Sequence, residues 1–224
     1  PRQYWDVKFN NSLKGTEAEL GDELIERLKE ATGIRMVAEV PLAAFLSGGV
    51  DSSAIVALMA GISNEPVNTC SISFGNPLFN ESQFAESVAK RYQTTHHVEQ
   101  VDPDDYHLIS QLAGMYDEPF ADSSALPTYR VCQLAKKNAT VVLSGDGGDE
   151  SLAGYKRYRW HTSEDRLRAF MPDSIRKPLF GFLGNVYPDM QRAPKIFRAK
   201  STLESIGRDS LEGYFHSISV QSNE

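Results

Sequence analysis

Cysteine is scarce in this chain: its 224 residues hold only Cys70 and Cys132, far apart and without a C-x-x-C spacing. That argues against a zinc site or structural disulfide, and both thiols are expected to be buried in apolar surroundings in a reducing, cytoplasmic compartment. No apolar run approaches the ~20 residues of a membrane helix, and no basic segment leads into an apolar one at the start, so neither a span nor a leader is expected. Basic charge is not in excess either. Twenty-three Lys and Arg face 30 Asp and Glu, and the formal net charge of -7 opposes docking on nucleic acid. The last third is more basic, with Lys156, Arg157, Arg159, Arg166, Arg168, Arg192, Lys195, Arg198 and Lys200, and is read as a solvated helical surface. An initiator Met is also missing: the chain opens PRQYWDVKF, which suggests a piece of something longer.

What is present is organised around VPLAAFLSGGVDSSAIVALMA, Val40 to Ala60. A short apolar run meets a Ser47, Gly48, Gly49 turn, after which apolar residues recur at helical spacing, giving strand, loop and helix. Glycines at a helix start let the backbone approach an anion, where free N–H groups and the positive helix end favour phosphate. Ser47, Ser52 and Ser53 add hydroxyls and Asp51 adds a carboxylate. A carboxylate beside phosphate would be repelled unless a divalent cation lay between them, so Asp51 points to Mg²⁺ as well as nucleotide. The plainer reading, a turn with a Ser or Asp cap, does not call for two glycines, three hydroxyls and an acid behind a buried strand. A Walker A loop is excluded because no Lys follows the glycines, and the dinucleotide fingerprint because a third glycine is missing.

Around this stretch the pattern alternates strands and helices. Thr16 to Ala31 reads as a helix with a Thr16–Glu19 capping box and Gly33 as its stop. Strands are expected at Val67–Phe74, Thr95–Val101 and Thr140–Leu143, and helices at about Glu81–Tyr92 (Phe84, Val88 and Ala89 inward), Tyr106–Tyr116 and Ala125–Asn138. This order predicts an α/β fold, a parallel sheet with helices on both faces, followed by a helical C-terminal portion. The division is expected at 1–160 for the core and 161–224 for the helical portion. Loops after strands one, two and four should then share a cleft.

The loop after strand four, Ser144 to Glu150, reads SGDGGDE and is expected to bring Asp146, Asp149 and Glu150 to that cleft among glycines. An EF-hand is excluded by the spacing. Adjacent His96 and His97 are read as one core and one surface residue, and Tyr155, Tyr158 and Trp160 as the packed face of a helix.

SGGVDSS resembles the PP-loop of the ATP pyrophosphatases. Together with DEPFADSSALPTYRV (Asp117 to Val131) and LSGDGGDESLAGYKRY (Leu143 to Tyr158), it resembles the synthetase domain of the glutamine-dependent asparagine synthetases. The YWD near the start is similar to that family's interdomain junction, and the likeness runs over nearly the whole chain.

The resemblance implies a PP-loop fold and the cofactors ATP and Mg²⁺. It places Ser47, Gly48, Gly49, Asp51 and Ser52 on pyrophosphate, adenosine against Phe45, Ile72, Ser144 and Gly145, and Mg²⁺ on Asp51 and Asp149. Asp146 matches a position that is Glu in the best-known asparagine synthetases and faces the acceptor, so the shorter acid puts aspartate itself in question. Glu150 is expected to hold a substrate ammonium or orient a loop, and Asp117 and Asp122 to cap a helix or touch substrate. The implied reaction adenylates a small-molecule carboxylate, releases pyrophosphate and passes the acyl group to ammonia. Ammonia would come from a glutaminase domain of the same parent chain, expected to be absent from this piece. A catalytic Lys of the family has no match among Lys156, Lys177, Lys195 and Lys200, and a homodimer stays open. Three readings compete: an amide-forming ligase for aspartate or another carboxylate, an inactive ATP-binding regulatory module, and a tRNA-modifying enzyme. The full set of acids favours the first, and the missing C-x-x-C and basic face weigh against the last.

Overall fold

The computed structural model describes residues 2–6, 13–75, 80–101, 108–118, 122, 124–188 and 199–219. Val7 and Phe9 of the opening PRQYWDVKF, Tyr106 at the expected helix start, and the basic residues Arg192, Lys195 and Arg198 lie outside them. The chain forms two compact units, Pro1–Asp146 and Gly147–Glu224, a division ahead of the one drawn from the sequence at residue 160.

The first unit is an α/β layer structure. Its elements are α1 (Glu17–Met36), β1 (Leu42–Phe45), α2 (Val50–Ile62), β2 (Asn68–Phe74), α3 (Ser82–Tyr92), β3 (Thr95–Val101), α4 (Leu108–Met115), α5 (Ala125–Lys136) and β4 (Val141–Leu143). The four strands are parallel in the order β3-β2-β1-β4. Alternation along β1 sorts the core into two layers. Ala44, followed by Leu46 just past the strand, packs with Val56 and Met59 of α2 and Ala85 and Ala89 of α3. Ala43 and Phe45 face the other way, with Cys70 of β2 and Leu134 and Ala135 of α5. The expected parallel sheet with helices on both faces is therefore present.

Differences from the sequence reading are local. The capping box at α1 forms, with Thr16 Oγ1 accepting from Glu19 N–H at 3.3 Å and Glu19 Oε2 accepting from Thr16 N–H at 2.8 Å. Gly33 does not stop the helix, which continues to Met36. α1 packs along α2 here, Gly33 lying near Ile62, and such packing outweighs the ~1 kcal/mol intrinsic cost of a helical glycine. Cys70 is buried as expected, and burial raises its thiol pKa, but Cys132 is exposed, because its side of α5 faces away from the sheet. Phe84 is 66% exposed rather than inward, whereas Ala85 and Ala89 of the same helix are buried.

The second unit is helical: α6 (Gly148–Ser151), α7 (Lys156–Phe170), α8 (Asp173–Val186), α9 (Lys200–Gly207) and α10 (Ser210–Ile218). Its interior is polar. Arg168 of α7 donates to Glu164 Oε2 at 3.1 Å and to Ser205 of α9, while Ser205 also donates to Glu164 at 2.7 Å. Arg176 of α8, almost fully buried, donates to the carbonyls of Ile206 and Arg208 and to Asp173. Glycines allow the close approach: a Cβ on Gly184 would come within 2.7 Å of Glu204. Tyr158 stacks on Tyr214, but Trp160 is 62% exposed, so the three aromatics do not form one packed face.

Candidate functional site

β1 is the strand where the chain order reverses, β2 following on one side and β4 on the other. In open parallel sheets a ligand crevice opens outside the carboxyl ends of the strands at such a reversal. Both glycine loops sit there, one after β1 and one after β4.

The β1 loop is pre-shaped. Gly48 has φ +84°, and a Cβ on it would come within 2.5 Å of Phe84 Cβ and 2.6 Å of Ala85 N, so neither the conformation nor the space admits a side chain. Ser47 Oγ accepts from Gly49 N–H at 3.2 Å and lies 3.0 Å from Ser52 Oγ, and Ser52 Oγ donates to Gly49 O at 3.2 Å. Gly49 is the N-cap of α2 and supplies no side-chain cap, which leaves the first-turn N–H groups available to an anion. Asp51 lies in that first turn.

The β4 loop closes on it. A Cβ on Gly145 would lie 2.6 Å from Asp51 C and Ser52 N, so the second loop is in backbone contact with the first turn of α2. Ser144 Oγ donates to Asp146 Oδ2 at 3.0 Å and in turn accepts from Asp146 N–H at 3.4 Å, turning the acid at the loop tip.

A cleft of about 300 Å³ opens beside these loops, lined by Phe45 and Ser47 from β1 and its loop, Ile72 and Phe74 from β2, Thr128 from α5 and Asp146 after β4. Loops after strands one and four thus share one cleft, to which β2 brings the residues of its own carboxyl end; of the loop after strand two, residues 76–79 lie outside the described residues. Of the residues expected at a site, Phe45, Ser47, Ile72 and Asp146 line it; Gly48, Gly49, Asp51, Ser52 and Gly145 do not, and belong to the two loops that meet beside it. Ser144 lines a different cavity, between α1 and β4. Asp149 and Glu150 belong to the second unit, where they start α6. There Tyr155 donates to Glu150 Oε1 at 2.6 Å, and this hydrogen bond holds the Glu150 carboxyl below its ordinary pKa. Gly154 lies close to Asp149, and a Cβ there would displace the Asp149 carboxylate from its present position.

Asp122 makes a local turn ahead of α5, its Oδ1 accepting from Ser124 N–H at 2.7 Å, which also lowers its pKa. Thr128 and Pro127 of the same motif line the cleft instead, and the sequence reading missed both. Their signal was available: they stand three and two residues inside α5, on the turn that faces the sheet ends. His96 and His97 are both half-buried, not one inside and one outside. Among the described residues no group of three or more His, Cys, Asp or Glu is placed to hold a metal. Asp51 in the first unit and, separately, Asp149 in the second each carry the hard oxygen donors that suit Mg²⁺, an ion that usually takes one or two carboxylates plus phosphate oxygens and water.

A parallel sheet with paired glycine loops at its point of reversal, the first reading SGGVDSS, defines the PP-loop class of α/β proteins. The asparagine synthase family model matches residues 23–216, and the chain belongs to that family. It is 37% identical over 176 residues to a putative glutamine-hydrolysing asparagine synthetase 2 of Methanocaldococcus jannaschii, covering 78% of this chain and 32% of the relative. It is 32% identical over 206 residues to the glutamine-hydrolysing asparagine synthetase 1 of Bacillus subtilis, covering 91% and 31%. The chain therefore spans about a third of the length of the curated relatives it matches. Among solved structures, the NH3-dependent NAD synthetase of Campylobacter jejuni is similar at 12% identity and a TM-score of 0.41, covering 91% of this chain and 99% of that one.

Proposed function

We propose that this chain is the synthetase part of an ATP-dependent, amide-forming ligase that adenylates a small carboxylate, aspartate foremost, and transfers the acyl group to ammonia derived from glutamine. The observation that carries this reading is the backbone contact between the two glycine loops at the switch point, Gly145 against Asp51 and Ser52. Such contact builds a rigid donor-rich wall from two strand ends.

The uncapped first turn of α2, with Ser47 and Ser52, receives the β- and γ-phosphates. Phe45 and Ile72 lie against the adenosine, with the backbone of Ser144 and Gly145. The substrate carboxylate attacks the α-phosphorus in line, its P–O bond to pyrophosphate breaks, and loop N–H groups hold the charge on the leaving group. Ammonia then attacks the acyl-adenylate carbonyl and AMP leaves. Asp51 and Asp149 are the residues that would hold Mg²⁺, which when bound supplies neutralising charge on the phosphates. Asp146 is the residue proposed for the acceptor, and Glu150, whose carboxyl Tyr155 holds below its ordinary pKa, has the charge that suits a substrate ammonium. Asp146 is a short acid already engaged by Ser144, and this supports an acceptor other than aspartate as the second reading.

The test is pyrophosphate–ATP exchange in the full-length protein with Mg²⁺ and a panel of carboxylates headed by aspartate. Exchange that requires aspartate and falls by about 10²-fold or more in Asp51→Asn supports the reading. Exchange with another acid replaces the substrate, whereas ATP binding without exchange in any case would leave a regulatory module.

A further inference from the structure

We propose that His96 is a positioning residue for the phosphate loop, acting through a one-directional chain of side-chain hydrogen bonds that crosses from β3 through β2 to the carbonyl of Leu46, the residue before Ser47. This rests on the reading that the loop holds phosphate.

The register pairs Thr69 with His96 and Ser71 with Val98, so both hydroxyls of β2 lie on the face that His96 presents. Thr69 Oγ1 is 2.8 Å from His96 Nδ1 and 2.9 Å from Thr94 Oγ1. Ser71 Oγ is 3.4 Å from His96 Nε2 and donates to Leu46 O. A carbonyl can only accept, so the single Ser71 proton is committed to Leu46 and its oxygen must accept from Nε2–H. The neutral ring then has Nδ1 as acceptor, which draws the Thr69 proton, and Thr69 in turn accepts from Thr94. Each direction follows from the one before it, and only the Nε2–H tautomer of neutral His96 satisfies all of them.

The far end of the chain matters because Leu46 is gripped twice by β2. Its N–H donates to Cys70 O at 3.0 Å, and its carbonyl takes the Ser71 hydroxyl. β1 has ended at Phe45, so these two bonds set the direction in which the chain leaves the sheet into Ser47, Gly48 and Gly49. Thr69 and Ser71 are buried, and losing the ring between them would strand both hydroxyls.

Protonation would turn Nδ1 into a donor; the Thr69 hydroxyl can then rotate to accept from it and donate to Thr94, so that link reverses while Nε2–H keeps its bond to Ser71. His96 faces a polar groove of about 600 Å³ between α3 and β3, lined also by Thr94, Glu86, Lys90 and Gln100. The charged and titratable groups around it are His97 on its own strand and, from α3, Glu86 and Lys90, which pair with each other at 2.8 Å. Burial first and His97 second hold the imidazole below the ordinary histidine pKa, while Glu86 and a hydrogen bond to the Thr69 backbone act the other way. The neutral form of the ring is thereby favoured, and in that form the chain runs in the direction given above.

The test compares wild type, His96→Leu and His96→Gln in the full-length protein. The Gln amide offers one acceptor and one donor and does not titrate. Amide exchange of Ser47, Gly48 and Gly49, corrected for intrinsic rate, should rise about tenfold in His96→Leu and less than about twofold in His96→Gln, with α10 unchanged. Wild-type exchange should stay flat through the histidine titration, because both protonation states keep the Nε2–H bond to Ser71. MgATP should bind about tenfold more weakly to His96→Leu and near normally to His96→Gln. Unchanged exchange in His96→Leu, or an Nδ1–H tautomer in the ¹⁵N spectrum of His96 at pH 7, overturns the proposal. Should His96→Leu fail to fold, Ser71→Ala is the second variant, which removes the hydroxyl between the ring and Leu46 O, and unchanged exchange of Ser47, Gly48 and Gly49 in it overturns the proposal. If the exchange pattern holds while no form binds MgATP, the positioning role stands and the ligase reading is the one that fails.

Discussion

At the scale of single residues, the site depends on where side chains are forbidden as much as on where they are. Gly145→Ala would drive a methyl into the backbone of Asp51 and Ser52, neither of which can rotate away. We expect a loss of about 1–3 kcal/mol in urea unfolding. Gly48→Ala meets the same obstruction plus a positive φ and should cost more, with nucleotide affinity falling further than stability. Tyr155→Phe tests the acid of the second unit. The Tyr155 hydrogen bond holds the folded Glu150 pKa below its unfolded value, so its contribution is present above the ordinary glutamate pKa and is lost as pH falls through the depressed one. Removing the hydroxyl should move the Glu150 carboxyl titration, followed by NMR, upward toward the ordinary value. No movement would show that Tyr155 does not govern this acid.

Helices and strands were readable to the extent that their signals are local. The Thr16–Glu19 box announced the start of α1, and Thr16→Ala is expected to lower thermal stability by about 1 kcal/mol, measured by circular dichroism. Its end was not readable, because the contact that carries the helix past Gly33 comes from α2. Phe84 shows the same limit. Helical spacing turned it inward, yet the loop glycine occupies the space beside its Cβ and leaves the ring exposed. The β3 histidines were misjudged because alternation assumes one wet and one dry face. His96 instead meets a polar stripe of hydroxyls on the neighbouring strand, and that pairing exists only once the register is set.

In the molecule as a whole, the two units are stabilised differently. The first has an apolar core split by the sheet, whereas the second closes its helices around Arg168, Glu164 and Arg176. Arg168→Ala would leave Glu164 buried without its partner and should lower the stability of that unit by about 3–5 kcal/mol in denaturant. Nothing in the basic composition of the last third distinguished these buried arginines from solvated ones, since a charge in a sequence does not carry its burial. By contrast, the strand-loop-helix at Val40–Ala60, the parallel sheet and the two glycine loops followed from the chain alone, because turn glycines and hydrophobic period are properties of adjacent residues. That the loops touch through Gly145, that Thr128 joins the cleft, and that Ser71 reaches Leu46 depended on strand order and register. These bring together residues dozens of positions apart, and tertiary packing alone decided them.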